Sequence, residues 1–157
     1  MATLVLTVVG DDRAGLVAAV ADVVGAHGGN WENSELAELA GAFAGIVEIS
    51  VDHARVEALR AALAAVEGLV TVSLPVSGPR EEGSGESRRF ELSVLGNDRP
   101  GIVREVSSTL SDHGFSIERM ATEVRDAAMA GGRLFEADIV ARAAASADLG
   151  ALTEGLE

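Results

Sequence analysis

The sequence predicts an α+β protein built from two copies of one βαββαβ unit, and three observations predict it. A motif occurs twice, as Gly10-Asp11-Asp12-Arg13-Ala14-Gly15-Leu16-Val17 and as Gly96-Asn97-Asp98-Arg99-Pro100-Gly101-Ile102-Val103. From Gly10 to Gly28, eight of 19 positions are identical to those 86 residues later, His27/His113 and Gly28/Gly114 among them, which marks an internal repeat. Each motif also stands between an apolar run and a stretch of helical period, and a polar, Gly- and Ser-rich segment separates the copies.

Taken in order, Thr3 to Val9 is β-branched and too short and apolar for a surface helix, so it is the first strand. Leu16, Val17, Val20, Val24 and His27 share one helical face, and Gly28-Gly29 ends that helix. Asn30 to Leu39 and Phe43 to Val51 read as a hairpin that turns at Ala40-Gly41. Asp52 suits the N-cap of a second helix, whose apolar Val56, Leu59, Leu63 and Val66 are three and four apart and which Gly68 closes. Leu69 to Val76 is the fourth strand. Strand, helix, strand, strand, helix, strand is the split βαβ or ferredoxin-like order, one antiparallel sheet with two helices on one face.

The first domain is therefore expected at residues 1–77, a flexible linker at 78–88 and the second domain at 89–157. Ser77 to Ser87 has no apolar residue beyond Pro79. In the second copy Phe90 to Leu95 is the first strand, and a helix runs from the motif to His113-Gly114. A second strand follows from Phe115 to Val124, then a longer hairpin loop over Arg125 to Gly132. Phe135, Ala137, Ile139 and Ala141 alternate as a third strand, and Leu149, Leu152 and Leu156 begin a helix after Ser146. No fourth strand follows. Either the sequence stops short of it or another chain or domain supplies that edge, because an open edge leaves backbone groups unpaired.

Composition narrows the function. With 48% hydrophobic but 3% aromatic residues, the core must be Val, Leu, Ile and Ala, with few large side chains to shape a deep cavity. The net charge is −13 and every basic side chain is Arg. Residues 1–77 carry 10 acids against 3 Arg and residues 89–157 carry 12 against 7, so neither half offers the basic face that nucleic-acid binding requires. Without cysteine there is no disulfide framework, thiol nucleophile or cysteine metal site. The first residues lack the flank of a signal peptide and no apolar run reaches spanning length, so a soluble, cytoplasmic protein with no membrane partner is expected.

His27 and His113 fall in the last turns of their helices, where capping or packing is the expected role. The histidines stand in separate elements without metal-ligand spacing, so neither a metal nor a cofactor is expected. No phosphate loop or Gly-x-Ser-x-Gly elbow occurs, which argues against an enzyme.

The repeated loop carries the remaining chemistry. Gly10 and Gly96 can take positive φ where the strand ends, and Gly15 and Gly101 can admit a close approach at the helix start. Pro100 suits a first helical turn, and Asp12 and Asp98 can satisfy orphan helix amides. A helix N-terminus of this kind suits a small anion such as an amino-acid carboxylate, and it equally describes a well-capped turn that binds nothing. Arg13 and Arg99 can clamp a carboxylate or pair with the neighbouring Asp.

On these residues the chain resembles the ACT domain family, and within it the two-ACT proteins grouped with the glycine cleavage system transcriptional repressor. The resemblance runs from Thr3 to Glu157 without the linker and is most specific at Gly96 to Val103, supported by His113-Gly114; Ala14 departs from it where a proline is usual. It implies regulation: ACT domains bind small ligands, often amino acids, where domains pair, with the ligand against the loop after the first strand. The implied ligand-binding residues are Gly10, Asp11, Asp12, Arg13, Ala14, Gly15 and Leu16 with Asn30 in the first copy. In the second they are Asn97, Asp98, Arg99, Pro100, Gly101 and Ile102 with Ser116. Backbone amides would hold the carboxylate and Asn or Asp oxygens the ammonium, and Asp11 against Asn97 would make the two sites unequal. The resemblance further implies glycine or another small amino acid as ligand, a protein partner through which the chain acts, and a homodimer. Two alternatives stay open: a dimerisation or regulatory subunit that binds no ligand, and a small enzyme using Arg99 and Asn97 as an anion-stabilising pair in the manner of acylphosphatases.

Overall fold

The computed structural model describes residues 1–11, 14–76, 86–127 and 131–156. The chain divides into two compact units, Met1–Arg80 and Glu81–Glu157.

Unit 1 consists of β1 (Ala2–Asp11), α1 (Leu16–Ala26), β2 (Asn30–Leu39), β3 (Ala42–Val51), a 3-10 turn (His53–Arg55), α2 (Val56–Ala64) and β4 (Leu69–Pro75). The strands form one antiparallel sheet in the order β2-β3-β1-β4. Period-two alternation along β1 buries Leu4, Leu6 and Val8 while Thr7 and Val9 face out. The buried row joins Val47, Ile49 and Val51 of β3 and the apolar stripes of both helices, Leu16, Val20 and Val24 with Leu59 and Leu63, in one core. The β2-β3 hairpin turns at Ala40 (φ 50°) and Gly41 (φ 84°), both in the left-handed region that a two-residue turn between right-twisted strands requires. The Asp52 carboxylate accepts from the Ala54 amide at 3.0 Å, capping the 3-10 turn that leads into α2.

Unit 2 repeats the plan with β5 (Ser87–Asn97), α3 (Ile102–Asp112), β6 (Ser116–Asp126), β7 (Arg133–Ala144) and α4 (Leu149–Leu156), in the sheet order β5-β7-β6. Its core joins Val106, Leu110, Phe115, Phe135, Ala137, Ile139, Ala141, Ala143 and Leu152. Phe90 meets Phe115 edge to face at 5.3 Å. Among the described residues this sheet has no fourth strand, and burial records the difference. Leu4, Leu6, Val8 and Leu16 are sealed in unit 1, whereas their counterparts Phe90, Leu92, Val94 and Ile102 are only half-buried.

β5 begins at Ser87, inside the expected linker, because β7 is long enough for Ala144 and Ala143 to pair with Ser87 and Arg88. Their polar side chains face solvent, so polarity was no bar to a strand. The rest of the expected linker up to residue 85 lies outside the described residues. So does part of the expected hairpin loop, residues 128–130; its flanks are already strand, since Arg125 and Asp126 pair with Leu134 and Arg133.

Candidate functional site

The loop between β5 and α3 is shaped by Pro100 and Gly101. The Ile102 amide donates to the Arg99 carbonyl at 3.3 Å, and Gly101 stands at φ 87°, ψ 0°. This is the geometry of a type II turn with Pro second and Gly third, and the third position requires positive φ. Unit 1 repeats it at Ala14-Gly15, with Gly15 at φ 84°, ψ 4°. The glycine roles expected from sequence are therefore exchanged. Gly15 and Gly101 take the left-handed backbone, while Gly10 and Gly96 are ordinary extended strand residues. Close approach belongs to Gly10 instead: a side-chain carbon there would stand 2.6 Å from the Gly68 carbonyl oxygen and 3.2 Å from Leu16. At Gly96 the nearest atom among the described residues would be an Ile102 methyl carbon at 3.8 Å.

Two further expectations change. Gly101, not an aspartate, is the N-cap of α3 and offers no side-chain acceptor; Asp98 uses its backbone, its amide donating to the Arg133 carbonyl at 2.9 Å. Pro100 precedes the cap and sets the turn, so it is not in the first helical turn. The Glu105 amide makes the first helical bond, to the Gly101 carbonyl at 3.0 Å. The amides of Val103 and Arg104, in the first turn, have no intrahelical partner and lie at the positive end of the helix.

Arg99 does not pair with Asp98. Its guanidinium grips the Glu105 carboxylate with two parallel hydrogen bonds, one from Nη1 to Oε1 at 2.7 Å and one from Nη2 to Oε2. The hydrogen bonds from Arg99 hold Glu105 below the usual carboxylate range, and Glu105 in turn raises Arg99. Glu105 is the residue that sequence reasoning missed. Its signal was an acid in the first turn of a helix, where the dipole favours it.

Beside this pair lies a cleft of about 960 Å³. Its polar rim is Asn97, Arg99, Arg104, Glu105, Ser108 and Thr109, and its apolar floor is Val94, Ile102, Val106 and Leu156. Two arginines against one glutamate beside open helix amides make it locally positive on a chain of net charge −13. Of the residues expected in unit 2, the cleft brings together Asn97, Arg99, Gly101 and Ile102.

Ser116 lies elsewhere. It pairs with Arg142, level with Arg89, eight residues and about 26 Å along the sheet from Asn97. Asn30 likewise stands level with Thr3, across from Ser50, and its side chain donates to Glu32 at 2.9 Å. The cause is direction: each helix returns the chain antiparallel to the strand before it, so the next strand starts at the end remote from the loop. In unit 1, Asp11 ends β1 opposite Ala42, Ala14 and Gly15 form the turn, and Leu16 is buried in the core. Asp12 and Arg13 lie outside the described residues.

His27 and His113 act alike. Each ring Nδ1 lies on the carbonyl four residues back, Val23 at 2.8 Å and Thr109 at 2.7 Å, and a carbonyl can only accept, so the proton is on Nδ1. Among the described residues no group of His, Asp and Glu is placed to hold a metal, and no helix is long and apolar enough to cross a membrane.

Comparison with known proteins agrees with the fold. ACT domain models match residues 2–72 and 90–153. The chain belongs to the ACT domain family and carries two such domains in tandem. An unknown protein from Galdieria sulphuraria is 30% identical with a TM-score of 0.75, over 91% of this chain and 82% of that one. The chain is also similar to a candidate glycine cleavage system transcriptional repressor, at 23% identity and a TM-score of 0.65, over 98% of this chain and 86% of that one. That second likeness is one of fold. Among curated proteins none matches.

Proposed function

We propose that this chain is an amino-acid-sensing regulatory protein that binds a small amino acid at the β5-α3 loop and acts, as a homodimer, through a protein partner. The observation that carries the reading is the cleft at the start of α3, lined by two arginines and one carboxylate. A zwitterion fits that set: its carboxylate takes the Val103 and Arg104 amides and the Arg99 guanidinium, and its ammonium takes Glu105 and the Asn97 oxygen. Glycine or another small amino acid is the expected class, which the family and the fold likeness to a candidate glycine cleavage repressor support. Regulation of glycine or amino-acid metabolism would follow.

The unit 1 loop is proposed as a weaker site. There the space over Gly10 is taken by the Gly68 carbonyl and Leu69, and positions 104 and 105 correspond to Ala18 and Ala19, so arginine and glutamate are both missing from the helix. Such a reading is regulatory and not catalytic.

A second reading has its own support: Glu105 already occupies the Arg99 fork, as a domain used only for assembly would keep it. A thermal-shift screen against the common amino acids separates the two. At about a hundredfold above Kd, binding adds roughly 2.7 kcal/mol, enough to move the melting temperature by several degrees. A selective shift with a small amino acid, abolished in Arg99→Ala, is expected. No shift with any amino acid in a folded protein would leave the assembly reading.

A further inference from the structure

We infer that unit 2 carries a separate anion site at the far end of its sheet, formed by Arg89, Arg142 and Ser87, which takes a small phosphate-bearing ligand. It lies about 26 Å along the sheet from Asn97 and does not rest on the amino-acid cleft.

The two repeats supply the comparison. Each places a glutamate in a β-bulge near the start of its second strand, Glu32 in β2 and Glu118 in β6, where the register slips by one residue. Unit 1 satisfies its glutamate with neutral groups. The Ser50 hydroxyl donates to Glu32 at 2.7 Å and the Asn30 amide nitrogen at 2.9 Å, and these bonds hold the carboxyl below its ordinary range. Unit 2 meets the same carboxylate with two arginines that face each other on neighbouring strands. Arg142 Nε donates to one Glu118 oxygen at 2.7 Å, the chief cause of a lowered Glu118 pKa, and Arg89 Nε stands 2.9 Å from the other. Arg142 occupies the position of Ser50, Arg89 that of Thr3 and Arg88 that of Ala2. Since Ser50 and Asn30 hold the bulge in unit 1, the fold itself does not require two guanidinium groups there.

Charge and geometry give the class of ligand. The Glu118 side chain is 18% exposed and that of Arg89 62%, so the carboxylate lies deeper and fixes the two arginines side by side. Beside them is an open cavity of about 580 Å³ lined by Glu86, Ser87, Arg88, Arg89 and Arg142. The Ser87 hydroxyl oxygen, 3.5 Å from Arg142 Nη1, adds a polar group. Arg88, Arg89 and Arg142 stand against Glu86 and Glu118, and the next row of the sheet holds one charge of each sign, Glu91 and Arg119. A local positive surplus therefore remains on a chain of net charge −13. Nucleic acid would meet the repulsion of the whole surface, whereas a small ligand responds mainly to the charges within a Debye length. A phosphate group presents three oxygens, which two guanidinium forks and a hydroxyl can meet from different directions. A carboxylate offers two in one plane, which a single fork fills.

The test is an NMR titration of the full chain with inorganic phosphate and with glycerol 3-phosphate, at ionic strength held constant with sodium chloride. It follows the Ser87, Arg89 and Arg142 amides and the arginine Nε–H signals. Saturable shifts of these groups are expected, with the Val103 and Arg104 amides unmoved. Tighter binding of glycerol 3-phosphate would assign an organic phosphate, and equal binding would assign free phosphate. Arg89→Thr combined with Arg142→Ser restores the arrangement that unit 1 uses, so it should keep its circular dichroism spectrum and weaken binding about 100-fold. Arg89→Gln alone, at the more exposed arginine, gives an independent reading and should weaken binding about tenfold. Shifts that sodium chloride alone reproduces, that persist in the double variant or that fall only on Val103 and Arg104 would overturn the site, as would no saturable shift with either phosphate. Succinate binding as tightly as both phosphates would overturn the ligand class.

Discussion

Arg99 and Glu105 set the chemistry of the cleft. Glu105 is held below its ordinary pKa chiefly by the Arg99 hydrogen bonds, against the opposing effect of desolvation, with the charge of Arg99 the smallest of the three. The folded state therefore takes up this proton less readily than the unfolded chain. Stability from the pair is complete above the ordinary carboxylate pKa and is lost as pH falls through the lowered one. A carboxyl-resolved NMR titration should show the Glu105 midpoint rising toward its ordinary value in Arg99→Ala; an unchanged midpoint would mean that the pair does not form in solution. Both side chains are more than half exposed, so the effect on overall stability should be slight. Gly101 bears a different constraint. At φ 87° a side chain is strained even though no atom stands nearby, so Gly101→Ala should cost about 1–2 kcal/mol in chemical denaturation. The same substitution at Gly96, which is extended and roomy, should cost less.

The elements make their own predictions. Ala40 holds positive φ in a turn that favours Asn-Gly, so Ala40→Asn should stabilise unit 1 by about 0.5–1 kcal/mol, read as a higher melting temperature. Asp52→Ala removes the cap at the entry to α2 and should cost about 1 kcal/mol. At this scale the fold was largely legible. Alternation in Leu4, Leu6 and Val8, the helical spacing of Val56, Leu59 and Leu63, and glycines at helix ends each state a local period that packing then uses. β2 begins and ends where its flanking glycines and polar residues place it, at Asn30 and Leu39. The loop was less legible because its parts are set by neighbours distant in sequence. The Gly68 carbonyl decides the role of Gly10, and a type II turn brings Arg99 onto Glu105 across six residues, a spacing with no signature of its own. Asn30 and Ser116 were drawn to the loop by resemblance, whereas the direction of the intervening helix carries them to the far end of the sheet.

Among the described residues the plan occurs twice, with a fourth strand in unit 1 alone. β4 seals the first core, while the second leaves β5 and its inner row half open beside the cleft. Leu6→Ala should therefore cost about 3–5 kcal/mol, and Leu92→Ala, at the matching position, distinctly less; equal losses would show that the β5 edge is covered in solution. The cleft of unit 2 is lined by Arg104 and Glu105 of α3, while in unit 1 the Gly68 carbonyl stands over Gly10. The most direct test of this division is an amide-resolved NMR titration of the full chain with glycine, alanine and serine. The account predicts saturable shifts of the Val103 and Arg104 amides with at least one of them, lost in Arg99→Ala. Amides of α3 that stay fixed up to about 10 mM of every amino acid tried, in a folded protein, would contradict it.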